Sequence, residues 1–396
     1  MLAASRRSGA AVLVCGPDSD LHPDLYLRGG ADAVIPALQM ESATLRTLVA
    51  LRASQYRPDV ETLVQVPGIA FVNRDMQFCR NEGKSLEIAL EELPWPEREP
   101  VQTRIHLERW LDHHSFRSLA LSSSQGCPVP CGFCSNSVFA RPYRRRSPDD
   151  VVAEMVELAN SFEVDRLVFT DEVFLFDSHW LAEFAECLID KNVHMSFEGS
   201  AHPGSLDPGS LATLVEAGLT RVELDAASGS DSLLRNLEWG YSPSDVYRSV
   251  AELRKVGIEV GLRVLVGLPG EGRSDLDATM EMVQIIEPIG VEVTRVDPGS
   301  PALFRKDWQR VVAGPVLESA VSTETLPGPV LEAAAHWMSA VGSPRNHDPI
   351  DQAKGYLQRL RTPVLRALVR ALPSWPSTSR LEWKRRRRLP GPSSKN

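Results

Sequence analysis

The amino-acid sequence predicts an α/β protein whose main unit is a parallel sheet, and two observations carry that prediction. Residues 118–295 repeat one pattern: a short β-rich run, a turn, then a stretch with apolar residues at helical spacing. Those stretches open with residues that start helices. In Ser147-Pro148-Asp149-Asp150 the serine can cap, the proline suits the first helical position, and the acids meet the positive end of the helix dipole. Ser178, Asp207-Pro208, Ser242-Pro243 and Ser274 open the next four in similar fashion. The strand candidates are Ser118–Ser122, Arg166–Thr170, Val193–Phe197, Arg221–Leu224, Val260–Val266 and Val291–Val296. Six strands with right-handed crossovers give an open doubly wound sheet or a partly closed barrel, and both place their chemistry in loops at the strand C-terminal ends.

The flanking stretches read differently. Residues 1–91 form a shorter α/β piece: a strand over Ala11–Cys15, a turn at Gly16-Pro17, a helix from about His22, a strand over Ala31–Ile35 and a helix over Glu41–Ala53. Two strands make no stable sheet alone, so this piece docks on the core or is a remnant of a larger domain. Residues 92–115 contain Pro94, Pro96 and Pro100 and read as a linker to a core over 116–300. After Asp297-Pro298-Gly299-Ser300-Pro301 the rhythm stops. Residues 301–372 read as a mostly helical segment, and 373–396, rich in Pro, Ser and Arg, as a disordered basic tail.

The composition of the 396 residues, 43% hydrophobic and 24% charged, excludes disordered, collagenous and coiled-coil classes. The formal charge of −9 supplies no basic field for nucleic acid, and the only dense basic run is Lys384–Arg388. No apolar run is long enough to span a membrane. Arg6-Arg7 followed by Ala10–Cys15 is too short for an export signal, so a cytoplasmic location is expected.

The strongest local signal is Cys127-Pro-Val-Pro-Cys131-Gly-Phe133-Cys134, a CxxxCxxC directly after the first strand of the βα series. Three thiolates from one loop can hold three irons of a four-iron cluster and leave the fourth open to a substrate or cosubstrate. The other readings are a zinc site completed by His113 or His114, and three unrelated core cysteines. Zinc knuckles pair two CxxC-like halves, and this sequence has no second half.

On this scaffold the spacing resembles the radical S-adenosylmethionine superfamily over about residues 116–300, which implies a partial (β/α)6 barrel with a 4Fe-4S cluster on Cys127, Cys131 and Cys134. In that family the open iron chelates S-adenosylmethionine, and one electron from the cluster breaks the sulfonium bond to give a 5'-deoxyadenosyl radical. The resemblance places Phe133 near the adenine and the acidic pair Asp171-Glu172 at the methionine amino group. It also makes Gly267-Leu268-Pro269-Gly270-Glu271 the turn whose backbone approaches the adenine, through Gly267, Pro269 and Gly270. Arg263, with Val264 and Val266, is expected to line the barrel and to contact a carboxylate or ribose. Where relatives carry G-x-E-S-G this chain reads Asp225-Ala226-Ala227-Ser228-Gly229. Ser228 carries over; the usual acid is Ala227, whose contact falls to Asp225 or Glu223.

The run Val12–Pro17, then His22-Pro23-Asp24 and Arg28–Val34, resembles the second half of the cobalamin-binding domain that precedes many such enzymes, over about residues 10–72. The first half, with its D-x-H-x-x-G ligand loop, is missing, and the acidic turn after the second strand reads Pro36-Ala37-Leu38-Gln39. A late start site, a partner chain or a lost corrinoid function each explains the missing half. No cysteine follows Cys187, which disfavours relatives with extra C-terminal clusters, and the N-terminal ligands of methylthiotransferases are absent.

The resemblance therefore implies a cobalamin-dependent C-methyltransferase in secondary metabolite or antibiotic biosynthesis, with cobalamin as a possible third cofactor. The expected partners are a small-molecule substrate and a reductant such as flavodoxin or ferredoxin. A radical rearrangement, cyclisation or oxidation without a corrinoid is the alternative, and an inactive scaffold or zinc-binding protein the alternative of another class. His202, at a strand end, reads equally as a substrate contact or a structural histidine. Tyr143 with Arg144, Arg145 and Arg146 reads as a charged helix entry or as a site for an anionic group or redox partner.

Overall fold

The computed structural model describes residues 10–16, 19–20, 22–37, 40–55, 60–83, 88–99, 102–129, 143–268 and 270–296, together with 334, 335 and 338. Cys131, Phe133, Cys134, Pro269, most of 301–372 and all of 373–396 lie outside the described residues. Ala334, Ala335 and Met338 are helical, and Ala334 and Met338 are buried in the main core.

The N-terminal module holds β1 (Leu13–Cys15), α1 (Pro23–Arg28), β2 (Ala33–Ile35), α2 (Met40–Ala53), α3 (Val60–Leu63), β3 (Ala70–Val72) and β4 (Phe78–Arg80). Its sheet runs β1-β2-β3-β4, with β1 and β2 parallel and the other pairs antiparallel. The hairpin β3–β4 doubles the two strands expected. Asn73 closes it, its side-chain oxygen accepting from the amides of Asp75 at 3.0 Å and Gln77 at 2.9 Å. A small core of Ala33, Ile35, Leu51, Ile69 and Phe71 lies beneath.

The stretch read as a linker contains a helix, α4 (Thr103–His114). Its prolines all precede the helix, so they delayed it without preventing it.

The main unit follows: β5 (Ser118–Leu121), a short ribbon of β6 (Ser124–Gln125) and β7 (Arg144–Arg145), α5 (Pro148–Ser161), β8 (Arg166–Phe169), α6 (Ser178–Asp190), β9 (Ser196–Ala201), α7 (Pro208–Glu216), β10 (Leu219–Ala227), α8 (Asp231–Asn236), α9 (Pro243–Lys255), β11 (Glu259–Val266), α10 (Arg273–Ile286) and β12 (Val291–Arg295). The strand order is β12-β11-β10-β9-β8-β5, with every neighbouring pair parallel. Because that order never reverses, the sheet has no doubly wound switch point; it curls one way into a half-barrel.

Caps follow the local chemistry. Ser147 caps α5, Asp207 caps α7, and Ser242 with Asp245 boxes α9. Two starts move from the expected residue: Asp177 rather than Ser178 caps α6, and α10 opens at Gly272, whose amide donates to Asp275 at 2.9 Å. The third strand lies later than Val193–Phe197. Its Ser-Phe-Glu-Gly-Ser-Ala text lacks β-branched residues, and Gly199 is needed because a Cβ there would lie 2.7 Å from the Phe174 ring. Among the described residues no helix is long and apolar enough to cross a membrane.

Candidate active site

Strand β5 ends at Leu121, and the chain turns at once through Ser122 and Ser123 into β6. The Asp171 carboxylate, on the loop after β8, fixes that turn. It is 5% exposed and accepts from the Ser123 amide at 3.0 Å, the Ser123 hydroxyl at 2.7 Å and the Ser124 hydroxyl. Ser200 on β9 in turn donates to the Asp171 and Glu172 carbonyls at 2.8 and 3.1 Å. Asp171 thus holds the start of the cysteine loop. Glu172 is exposed, and its charge acts on Asp225.

The ribbon pairs Ser124 with Arg145 and Gln125 with Arg144, closing the loop that carries Cys127. Strand alternation gives it two faces. On one, Arg144 reaches the Ile88 carbonyl at 2.6 Å and Glu41 at 3.6 Å, and Gln125 donates to Glu41 at 2.7 Å. Glu41 lies in the first turn of α2, so this face ties the cysteine loop to the N-terminal module. On the other, the Arg145 guanidinium lies 3.5 Å from the Trp180 ring centre and donates to the Phe174 carbonyl at 2.8 Å. Arg146 is 9% exposed and paired with Asp150 at 2.5 Å and Glu154 at 2.6 Å. None of the three arginines is a solvated cation at a helix entry.

Cys127 follows the ribbon by two residues; Cys131, Phe133 and Cys134 lie outside the described residues. His113 and His114 end α4, before β5, with His114 stacked on Trp110 at a centroid distance of 4.1 Å. A four-residue strand, roughly 13 Å long, separates them from the end of β5 that leads to Cys127.

Inside the half-barrel the strands present charge. Glu198 on β9 pairs with Arg166 at 3.4 Å and Arg221 at 3.7 Å, and Arg221 also pairs with Glu223. Nearer the mouth, Arg263 bridges Asp225 at 2.7 Å and Glu292 at 3.1 Å. Gly261 leaves room for the Glu223 carboxylate, which a Cβ would overlap. Burial pushes the Asp225 carboxyl up to about 6 against the pull of Arg263, and burial raises Glu198 as well. Val264 and Val266 do not share this surface. They are fully buried in the core on the outer face, because neighbours of Arg263 on a strand must point the opposite way.

At the remaining strand ends, β10 bulges between Asp225 and Ala227, and Ala227 adopts a left-handed φ of 44°. Ser228 is fully buried, its hydroxyl 3.0 Å from that of Thr279 and accepting the Ser230 amide at 3.1 Å, so it anchors this turn to α10. Gly267, with φ 81°, ends β11. Its amide and that of Leu268 donate to Glu271 at 2.6 and 3.3 Å. The other Glu271 oxygen is buried without a partner among the described residues, and burial pushes this carboxyl up to about 7. Gly270, φ 78°, has open space where a Cβ would stand. His202 is buried against Tyr241 at 4.8 Å, and burial holds it below the ordinary histidine range.

The family model described as the Radical SAM superfamily matches residues 121–283, from the end of β5 into α10, a span that contains these loops. The chain carries a radical SAM domain. An uncharacterized methyltransferase of Pyrococcus horikoshii is 21% identical over 196 residues, which are 49% of this chain and 42% of that protein. The chain spans less than half the length of the curated relatives it matches. Among solved structures, the radical S-adenosylmethionine methyltransferase TsrM from Kitasatospora setae, with cobalamin and a [4Fe-4S] cluster bound, has a TM-score of 0.59 at 16% identity, covering 90% of this chain and 72% of that one. The cobalamin-dependent S-adenosylmethionine radical enzyme OxsB, with aqua-cobalamin bound, has a TM-score of 0.57 at 14% identity, covering 83% and 46%. The radical SAM domain implies a 4Fe-4S cluster and S-adenosylmethionine, and the residues present fit. Cys127 follows directly on the β6–β7 ribbon beyond the C-terminal end of β5, and at the base of its loop the Tyr143 phenol and the Arg145 guanidinium share a hydrogen bond while burial weighs on both.

Sequence reasoning missed Ser123 and Ser124, the contacts of Glu41 with Gln125 and Arg144, and the Arg166–Glu198–Arg221 ladder. Arg221-Val-Glu223-Leu-Asp225, charged at every second position, was the available signal for the ladder.

Proposed function

We propose that the radical SAM domain belongs to a cobalamin-dependent methyltransferase acting on a small polar molecule of secondary metabolism. The observation that carries this reading is the tie between Glu41 and the ribbon residues Gln125 and Arg144. Glu41 opens the helix that follows β2, so it lies at the strand C-terminal edge of the parallel β1–β2 pair, the edge on which such units hold cofactors. A corrinoid on that edge would stand beside the cysteine loop. The cobalamin carried by the two structural neighbours supports the reading.

The cluster with S-adenosylmethionine would supply homolytic cleavage of a sulfonium carbon–sulfur bond and so a radical strong enough to take hydrogen from unactivated carbon. Cys127, Cys131 and Cys134 would hold the cluster. Glu172 and Arg263 would meet the charged methionine end of the cosubstrate, and Gly267, Gly270, Pro269 and Phe133 its adenine side. Asp171 and Ser228 act through others, Asp171 by fixing the cysteine loop and Ser228 by fixing the turn after β10. The charged lumen favours a substrate with several hydrogen-bonding groups, since an apolar one would strand those ion pairs without water. A flavodoxin or ferredoxin in the cytoplasm would deliver the electron.

The test is corrinoid retention. Anaerobically reconstituted protein mixed with hydroxocobalamin and gel-filtered is expected to retain about one corrinoid per chain, and a Glu41→Ala variant less. Protein that retains none, and whose cleavage of S-adenosylmethionine is indifferent to cobalamin, would overturn the reading. The same core performing a rearrangement, cyclisation or oxidation would then stand; the presence of only one parallel strand pair among the described N-terminal residues favours it.

A further inference from the structure

One edge of the six-stranded sheet is covered without being paired. In a parallel ladder successive residues turn their backbone groups to opposite edges. On β5 and its approach, Arg117 and Leu121 turn theirs toward β8: the Leu121 carbonyl accepts from the Thr170 amide at 2.8 Å and the Arg117 carbonyl from the Arg166 amide at 3.1 Å. Ala120 therefore turns its N–H and C=O to the open edge, where the residue is exposed.

The segment over that edge, residues 90–98, is pegged to α5 and not to β5. Glu91 accepts from the Ser147 amide at 2.8 Å, the Trp95 indole donates to Asp150 at 3.1 Å, and Arg98 meets Glu154 at 3.4 Å. Among the described residues of this strap, Arg98 alone reaches across to β5, donating to the Ala120 carbonyl at 2.9 Å. The strap thus stands off from the strand, and a cavity of about 320 Å³ lies between them. Leu90, Leu93, Pro94 and Pro96 line one side, and Ala120 and Ser122 the other. That volume is at the small end of ligand sites.

What the cavity offers a guest is donors. The Ala120 N–H faces the open edge, and the Arg98 Nε is buried without a partner among the described residues. Neighbouring hydroxyls are committed: Ser124 to Asp171, Ser122 to the Ser124 carbonyl at 2.8 Å, and Thr170 to the Leu121 carbonyl at 3.2 Å. The charges also balance, since Arg146 pairs with Asp150 and Glu154, and Arg98 shares Glu154. No net field draws an anion here, and the Glu154 carboxylate beside Arg98 repels one. A neutral carbonyl suits both donors, and an amide brings it in the extended form that adds to a strand edge, with a side group left for the apolar wall.

We propose that this edge cavity is a binding site for an uncharged amide-bearing small molecule with an apolar side group, its carbonyls accepting from the Ala120 N–H and the Arg98 Nε. The site lies outside the ion-paired lumen and holds its guest by these contacts alone, whether or not a corrinoid is bound.

The test is isothermal titration of the anaerobically reconstituted full-length protein with N-acetyl-L-leucine methylamide, a neutral diamide, and with N-acetyl-L-leucine, its anionic counterpart. The diamide is expected to bind in the millimolar range and the acid about tenfold more weakly. Arg98→Met, which keeps an apolar stem and removes the donors, is expected to weaken the diamide about tenfold, as loss of one hydrogen bond to a charged group does. Leu93→Ala, which thins the wall, is expected to weaken it about threefold. Should Arg98→Met fail to fold, Leu93→Ala and the acid carry the test. A diamide that gives no binding, an acid that binds as tightly, or a folded Arg98→Met protein with the parent's affinity would overturn the proposal. Iron content and corrinoid retention, measured on the same samples, keep that failure distinct from a failure of the cofactor readings.

Discussion

The two faces of the six-stranded sheet alternate along the same strands and are made of opposite chemistry. The outer face is apolar throughout: Leu167, Phe169, Phe197, Val222, Leu224, Leu262, Val264 and Val266 are at most 3% exposed and pack on the helices. The inner face holds Arg166, Glu198, Arg221, Glu223, Asp225 and Arg263, paired across neighbouring strands apart from Arg221 and Glu223, which pair along β10. Burying that much charge is a poor way to stabilise a fold, since an ion pair returns at best the desolvation it costs. The difference teaches that the outer face specifies the barrel and the inner face is kept for what enters it.

Substitutions on the two faces should therefore separate stability from activity. Phe197→Ala, which empties a site ringed by Phe169, Phe174 and Phe184, is expected to cost about 3–5 kcal/mol in chemical denaturation. A loss below 1 kcal/mol would break the contrast.

Glu271 sharpens it from the mouth. Burial raises its folded value to about 7 against 4.5, so between those pH values the folded protein keeps a proton that the unfolded chain has released. Stability then falls as pH rises through that window, by ~3 kcal/mol in all. Glu271→Gln keeps the acceptor for Gly267 and Leu268, and its stability is expected to be flatter across the same pH range. A variant as pH-sensitive as the parent would contradict the assignment.

Asp171→Ala strands the Ser123 and Ser124 donors and is expected to lose about 1–3 kcal/mol while losing most of the bound iron after reconstitution. Full iron content would mean that Asp171 does not position the cysteine loop. On the inner face, Asp225→Asn is expected to change the melting temperature little. It should also remove from S-adenosylmethionine cleavage a titration near pH 6 that the parent is expected to show as its carboxylate ionises beside Arg263. The smallest effect belongs to Ala227, whose left-handed backbone a glycine adopts freely; Ala227→Gly is expected to gain about 1 kcal/mol.

The same contrast explains what the sequence made legible. Runs such as Val260–Val266 announce strands through their apolar, β-branched text, and the barrel strands were placed from such apolar runs except the third, Ser196–Ala201, which lies later than expected because its text lacks them. Assigning faces within a run was harder, because Val264 and Val266 read as lumen residues until the pairing of Arg263 with Asp225 fixed the alternation. The cysteine loop, the acidic pair and the Gly267 turn stood out as local spacings. The contacts among them did not: Asp171 to Ser123 spans 48 residues and Gln125 to Glu41 spans 84, distances over which no local pattern reports. The short strands β3 and β4 escaped because three residues carry too little periodicity to register.

The central claim is that the mouth of this half-barrel is a radical SAM site. The direct measurement is 5'-deoxyadenosine formed from S-adenosylmethionine after anaerobic reconstitution with iron and sulfide and reduction with dithionite, with Cys131→Ala alongside. The account predicts product from the parent protein and none from the variant. A protein that binds zinc in place of iron, or that forms no 5'-deoxyadenosine with a full four-iron cluster in place, would contradict it.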